Sequence, residues 1–284
     1  MNNTEKIKYL LWAARRWPSA DRTCPGCQAA GAQLLKRKYA VTSLYRCNTC
    51  RLMFRVPKGS LVDDALFYEA GYEQGSTTEL PDEVRLEVLK DNWFRDIGQN
   101  YAGHIAVLQA IGIEPGCTVY DYGSSWGYGS WQFRQAGYEV YSYEIACTRA
   151  RFAQEKLGCR MLADPRAVPR RVDCLFASHV MEHLADPNLL WRTARDVLQP
   201  DGVIVVFVPN GEPVRAQMDP GRYHQLWGRV HPLFLTAASL GWMAEQYGFS
   251  GAGYSSPYDL DGIARWRTGR LDGEELLFIA RRKP

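Results

Sequence analysis

The chain reads as a doubly wound α/β protein on a mostly parallel sheet, preceded by a small cysteine-clamped module. Three observations predict this. From Gly116 onward, short apolar runs alternate with amphipathic segments, the order that lays helices on both faces of a parallel sheet. One run, Val203-Ile-Val-Val-Phe-Val208, is apolar at every position, as a strand buried on both faces must be. Ahead of this part stand two CxxC pairs, Cys24-Pro-Gly-Cys27 and Cys47-Asn-Thr-Cys50, with nineteen residues between them.

Length and composition agree. At roughly 100–200 residues per domain, 284 residues suit one catalytic-sized domain plus a small module. Hydrophobic residues make up 46% and charged residues 23%, which excludes a collagenous, coiled-coil or wholly disordered chain. The net charge of +3 (34 basic against 31 acidic residues) is too small to argue for nucleic acid. No run approaches the roughly 18 apolar residues of a bilayer span.

The first element, MNNTEKIKYLLWAARRWP, predicts an amphipathic helix from about Thr4 to Trp17 with Ile7, Leu10, Leu11 and Ala14 on one face. Arg15 and Arg16 interrupt its apolar stretch and no small-residue cleavage site follows, so it does not read as a signal peptide. A cytoplasmic location is expected, with the helix packed on the next module rather than on a membrane surface.

The CxxC pairs come next. A CxxC turn lets two thiolates bind one ion, and two such knuckles complete the tetrahedron that Zn²⁺ accepts. Leu34 to Tyr45 between them is strand material, as a zinc ribbon needs. Two disulfides, four unrelated thiols and an iron–sulfur or redox use are the alternatives; the expected reducing compartment disfavours disulfides. With Cys24, Cys27, Cys47 and Cys50 all supplying sulfur, no position is left for water, so the zinc is structural. Cys117, Cys147, Cys159 and Cys174 read as buried small hydrophobes.

Residues 1–60 therefore form a helix and ribbon, 61–82 an aromatic connector, and 83–284 the main domain, with an insertion at about 210–235. Pro81-Asp82-Glu83 opens a helix, and a broken helical pattern runs on to about Ile111. Strands are predicted at Thr118–Asp121, Tyr138–Tyr143, Val172–Ser178 and Val203–Val208. Helices are predicted through about Gln135 and over Cys147–Leu157 and Asn188–Leu198. Phe249–Ser255 and Glu275–Ala280 then read as an edge hairpin with no helix between its strands.

The first strand runs into Val119-Tyr-Asp121-Tyr-Gly123-Ser-Ser125-Trp-Gly127. A strand ending in an acid, then a glycine-bearing loop and a helix N-terminus, offers close backbone approach and unpaired N–H groups to a ligand. Glu144, seventeen residues beyond Gly127 at the end of the next strand, can accept both hydroxyls of a ribose. A nicotinamide cofactor would ask for the same. The later segments Asp173-Cys-Leu-Phe-Ala-Ser178-His179-Val-Met-Glu182-His183-Leu and Leu198-Gln-Pro-Asp-Gly-Val-Ile-Val-Val-Phe-Val-Pro209-Asn210 decide between them.

With these four segments in order, the stretch from about 85 to 281 resembles a class I S-adenosylmethionine-dependent methyltransferase. The resemblance implies a seven-stranded Rossmann-like sheet and S-adenosylmethionine as cofactor. It assigns Asp121, Gly123, Ser125 and Gly127 to the loop around the cofactor's amino-acid part, Glu144 to the ribose, Asp164 to an adenine contact, and Ser178 and His179 to the cofactor side after the fourth strand. The family commonly has glycine where this chain has Ser125, and Trp126 adds bulk to the loop. These departures keep a non-catalytic scaffold in view.

Two CxxC knuckles, a Phe67-Tyr68-(x3)-Tyr72 segment and then the methyltransferase domain resemble sugar C-methyltransferases and type-12 methyltransferases of polysaccharide and natural-product clusters. That resemblance places Tyr68 or Tyr72, His231 and His224 near the transferred methyl. The sugar enzymes carry a Glu-His pair where this chain has Val230-His231, which weakens C-methylation specifically. His231 is the foremost candidate base or orienting residue, because a histidine near its ordinary pKa suits proton transfer. His183, in the turn after Ser178, and His224, in the insertion, follow. Arg215, Arg222 and Arg229 make a nucleotide-linked sugar a natural small-molecule acceptor, against solvated loop arginines. Lys36-Arg37-Lys38 suggests an RNA methyltransferase as the alternative, a meagre footprint for nucleic acid. The oligomeric state is not legible.

Overall fold

Two sheets organise the chain, whose computed structural model describes residues 3–59, 79–95 and 98–283. The smaller sheet begins with β1 (Ala32–Lys38), β2 (Thr42–Cys47) and β3 (Met53–Val56), and its fourth strand is β8 (Leu233–Phe234), far along the chain. β8 pairs antiparallel with β3, Met53 opposite Phe234 and Phe54 opposite Leu233. The cysteine module is thus completed by a strand from the insertion.

Helix α1 (Asn3–Arg16) lies against this module. Its packed residues are Tyr9 and Ala13, whereas Ile7 and Leu11 are exposed, so the buried face is not the one the apolar pattern predicts. The reason is polar. The Tyr9 hydroxyl bonds to Thr42 Oγ1 at 2.9 Å, and the Arg55 guanidinium lies over the Tyr9 and Trp12 rings. The ribbon thus selects aromatic side chains with a polar reach over plain aliphatics.

α2 (Glu83–Asp91) opens on Asp82, whose side chain accepts from the Arg85 N–H. α3 (Ala102–Ala110) leads into the larger sheet. Its strands are β4 (Thr118–Tyr122), β5 (Glu139–Tyr143), β6 (Val172–Ser178), β7 (Leu198–Pro209), β9 (Phe249–Ser255) and β10 (Glu275–Arg282), in the order β5-β4-β6-β7-β10-β9. β5, β4, β6 and β7 run parallel; β10 is antiparallel to both neighbours. The expected seventh strand is reduced, among the described residues, to one parallel bridge between Ser142 and Met161. Pro165 and Pro169 follow directly, and proline cannot donate to a ladder.

Alternate residues of β7 face opposite layers. Ile204, Val206 and Val208 pack with Trp191 of α6 (Asn188–Val197) and Leu240 of α9 (Ala237–Gln246). Val203, Val205 and Phe207 pack with Val107 of α3, Phe133 of α4 (Tyr128–Gln135) and Ile263 of α10 (Leu260–Ala264). The sheet is therefore buried on both faces, as its sequence requires. Helix α10 intervenes in the edge hairpin where none was expected; its Asp259 cap and buried Ile263 give five residues a reason to fold. α5 (Cys147–Leu157) covers the β4–β5 side. Cys147, its first residue, is exposed rather than buried.

Candidate active site

Strand β4 delivers Asp121 to the sheet's carboxyl edge, where it is buried beneath the loop that follows. Ser142 Oγ donates to Ser130 Oγ, and Ser130 Oγ donates to Asp121 Oδ2 at 2.6 Å. Burial pushes the Asp121 carboxyl up to about 7, Glu144 adding to the shift. Above it Gly123 adopts φ 86°, and a Cβ there would lie 2.4 Å from Val180 Cγ2. Gly127, at φ 89°, is also pressed, its would-be Cβ lying 2.8 Å from Ala153 Cβ and 2.9 Å from Cys159 Sγ. Ser125 stands between them at φ 51°, a left-handed conformation that costs a non-glycine residue about 1–2 kcal/mol.

Glu144 offsets that strain. Its Oε2 accepts from the Ser125 N–H at 3.0 Å, while Oε1 accepts from the Ala146 N–H and from Arg149 Nη2. The loop, the strand end and α5 are thereby joined through one carboxylate. Trp126 turns away from the loop and is itself fully buried, against Phe94 and the partly buried Tyr128 and Phe152, leaving the cradle open.

This cradle forms one end of a cavity of about 490 Å³. The other end is built after β6. His179, at φ 53°, places its ring between Glu182 Oε1 at 3.2 Å and Glu275 Oε1 at 2.7 Å. Burial opposes its charge, but the two carboxylates raise it well above the ordinary imidazole range. Glu182 is buried; burial opposes its charge too, yet the histidines around it hold it down at about 2. His183 is pushed down to about 4 by burial. The His183 and His231 rings meet edge to face at 4.7 Å.

Among the sequence-predicted residues, Gly123, Ser125, Glu144, Ser178, His179, His183 and His231 line this cavity together. Asp121 and Gly127 support the loop from beneath. Asp164 is exposed in the turn after Met161, bonded to the Arg166 N–H, and does not line the cavity. His224 also lies off it, its ring edge-on to Trp227. Tyr68 and Tyr72 fall outside the described residues. Sequence reasoning missed Tyr101, Tyr128, Arg149 and Glu275, which also line the cavity. Their elements were legible, but nothing in the sequence tells which side chain of a helix start or strand end turns inward.

In the cysteine module, Cys24 Sγ lies 3.4 Å from Cys50 Sγ, and Cys27 Sγ 3.4 Å from Cys47 Sγ. A disulfide would bring each pair to about 2.05 Å; all four thiols are free and converge within 4.8 Å of one another. Such a set can hold one tetrahedral ion. The knuckle touches the main domain where Asn188 Nδ2 donates to the carbonyls of Pro25 and Gly26.

Residues 94–252, more than half of the chain, match a family described as a methyltransferase domain. The chain belongs to this methyltransferase family. It is an S-adenosylmethionine-dependent enzyme of class I, and its fold is shared with solved methyltransferases. The magnesium protoporphyrin IX methyltransferase of Synechocystis PCC 6803, solved with S-adenosylhomocysteine, is 16% identical, covers 78% of this chain and 99% of its own, and gives a TM-score of 0.51. A mitomycin 7-O-methyltransferase is 16% identical over 71% of this chain and 59% of its own, also with a TM-score of 0.51. No curated protein matches the chain in sequence. The methyltransferase's cradle suits its cofactor: Gly123, Ser125 and the Glu144 carboxylate line one cavity at the ends of β4 and β5, a carboxylate that can accept from hydroxyls beside a loop closed tightly by glycine. No helix among the described residues is long and apolar enough to cross a membrane.

Proposed function

We propose that this methyltransferase acts on a small hydroxylated acceptor, a sugar or related natural-product or polysaccharide precursor, held between the cofactor cradle and His231. The observation that carries this reading is the single cavity: the Gly123–Ser125 loop and Glu144 form one wall, and Glu182, His183 and His231 form the other. Its volume is in the range of small-molecule sites.

S-adenosylmethionine supplies a methyl group on a sulfonium. The Gly123–Ser125 loop lines the space for its amino-acid part, Glu144 takes its ribose hydroxyls, and Ser178 and His179 face it from the end of β6. Asp121 acts through Ser130 to fix the loop. His231, its Nδ1–H donating to the Leu226 carbonyl at 2.6 Å, presents Nε2 to the acceptor. It orients the acceptor hydroxyl and takes up its proton as the methyl moves in line. A zinc ion on Cys24, Cys27, Cys47 and Cys50 holds the module that buttresses this wall.

Arg215 and Arg222 of the insertion do not favour a phosphate clamp. Arg215 donates to the Asp272 carbonyl and Arg222 pairs with Glu274. Neither lines the cavity, so a free sugar fits better than its nucleotide-linked form. RNA is disfavoured on similar grounds. The Lys38 amine is engaged with the His224 and Trp227 carbonyls, and Lys36 lies over the Tyr223 ring, which leaves Arg37 as the exposed member of the basic triplet.

The test is a panel of free sugars, nucleotide-linked sugars and RNA, each incubated with the enzyme and S-adenosylmethionine. Acceptor-dependent release of S-adenosylhomocysteine, with one methyl added to a sugar-like acceptor, is the expected result. Turnover on RNA alone would overturn the reading.

A further inference from the structure

Glu182, His183 and His231 form a cluster that proton transfer by one histidine does not use up. One carboxylate oxygen and one ring nitrogen of each histidine lie within 4.8 Å of one another. His183 Nδ1 lies 2.9 Å from the Val230 carbonyl, and His231 Nδ1 lies 2.6 Å from the Leu226 carbonyl. A carbonyl oxygen only accepts, so in both rings Nδ1 carries a proton, and Nε2 is the atom left to offer a lone pair to a metal. The two imidazoles are thereby held in the orientation that ligates a metal through Nε2, each braced by a backbone carbonyl as metal-bound histidines are.

Glu182 adds the charge. It is 1% exposed, and its Oε2 has no hydrogen-bond partner among the described residues. Leaving a buried carboxylate oxygen unpaired is costly, and a cation beside it removes that cost. Its other oxygen accepts from His179 Nδ1, and Glu275 holds His179 from the far side. This outer pair fixes the carboxylate as it would fix a ligand.

We infer that Glu182, His183 and His231 bind a divalent transition-metal ion at the acceptor end of the cavity. Two imidazoles and one carboxylate suit Zn²⁺, Fe²⁺, Co²⁺ or Mn²⁺, with bonds of about 2.0–2.2 Å. Three protein ligands leave positions open, and all three residues line the cavity, so those positions take oxygen atoms of the acceptor. An acceptor with adjacent hydroxyls chelates best. On the ion, one hydroxyl releases its proton to water; the oxygen forms the new bond to the methyl carbon, and the pair of the breaking C–S bond stays on sulfur. The inference rests on the acceptor end assigned above and changes one role in it: with the ion bound, His231 is a ligand, and water takes the proton in its place.

The site is distinct from the sulfur cluster, and cobalt tells them apart. Four thiolates give Co²⁺ an intense sulfur-to-metal charge-transfer band, whereas two nitrogens and one oxygen give only weak visible bands. Full-length protein, with its ribbon metal in place, is titrated with Co²⁺, and S-adenosylhomocysteine binding is measured on the same samples. The expected result is one equivalent of cobalt per chain, a second equivalent of metal beyond the ribbon ion, without the charge-transfer band. It should weaken more than about tenfold in both His231→Gln and Glu182→Gln, while cofactor product still binds. Wild-type protein that binds S-adenosylhomocysteine but takes up no second equivalent overturns the metal site and leaves the methyltransferase reading intact. Retention of the second equivalent by both variants overturns it as well. A second equivalent without S-adenosylhomocysteine binding supports the metal and counts against the cofactor assignment.

Discussion

The two ends of the cavity are held by contacts of very different reach along the chain. At the cofactor end, Gly123, Ser125 and Glu144 lie within about twenty residues of one another, joined by adjacent parallel strands and one carboxylate. At the acceptor end, His231 stands on a loop that the cysteine module holds from almost two hundred residues away. Lys38 Nζ donates to the His224 and Trp227 carbonyls, Arg55 Nη1 donates to the Gly228 and Arg229 carbonyls, and β3 pairs with β8. The first end is the fold's own loop; the second exists because a separate module props it. That difference suggests how such an enzyme can keep its donor site while its acceptor wall changes.

The largest effect expected to break this comparison comes from removing a thiolate. Cys47→Ser should release the ribbon metal and unfold the module, a loss of several kcal/mol locally. Turnover should vanish with it. Metal content by atomic spectroscopy and proteolysis of residues 1–60 check this; retained metal would refute the four-sulfur site. Gly123→Ala attacks the other end. Its Cβ would meet Val180 in a left-handed backbone, and S-adenosylhomocysteine affinity should fall by at least about 2 kcal/mol, measured by calorimetry.

Smaller changes sharpen the comparison. Lys38→Ala removes two hydrogen bonds to the insertion, and burial already lowers this amine to about 8. The acceptor KM should rise or kcat fall by about 1–3 kcal/mol with cofactor affinity unchanged. Equal loss on both sides would show the ends to be one unit. Asp121→Asn tests pH. Burial raises the folded carboxyl from its ordinary 3.8 to about 7, so the folded state binds the extra proton. Stability from this group is full below about 4 and is lost as pH rises through 7. The asparagine variant should therefore flatten the decline in melting temperature between about pH 4 and 7; an unaltered slope would put Asp121 outside it. Ser125→Gly should relieve the left-handed strain and stabilise by about 1 kcal/mol.

What the sequence made legible follows the same division. Short apolar runs placed β4, β5 and β6 within a residue, because their helices are local, whereas β7 begins at Leu198, five residues ahead of the apolar run at Val203 that marked it. Glu144 and the glycine loop were readable because strand ends and turns are short-range features. The acceptor wall was only half readable. His183 and His231 stood out as histidines in loops, but their meeting depends on Arg55, Lys38 and β8, none of which carries a local signature. Glu275 arrives from the last strand, and Tyr101 from a helix start, by topology alone. The buried face of α1 was misread because Thr42 and Arg55, not hydropathy, decide which side packs. His224 looked like His231 in sequence; only the fold of the insertion separates them.

The independence of the two ends is tested most directly by calorimetric titration of S-adenosylhomocysteine into Glu144→Ala and Lys38→Ala proteins beside the wild type. The expected result is a loss of about 1–3 kcal/mol in the first, where a charge-assisted contact is removed, and an unchanged Kd in the second. Unchanged affinity in Glu144→Ala would show the ribose acid to be misassigned. Weakened affinity in Lys38→Ala would show that the module holds the cofactor end as well, and the division drawn between them would fall.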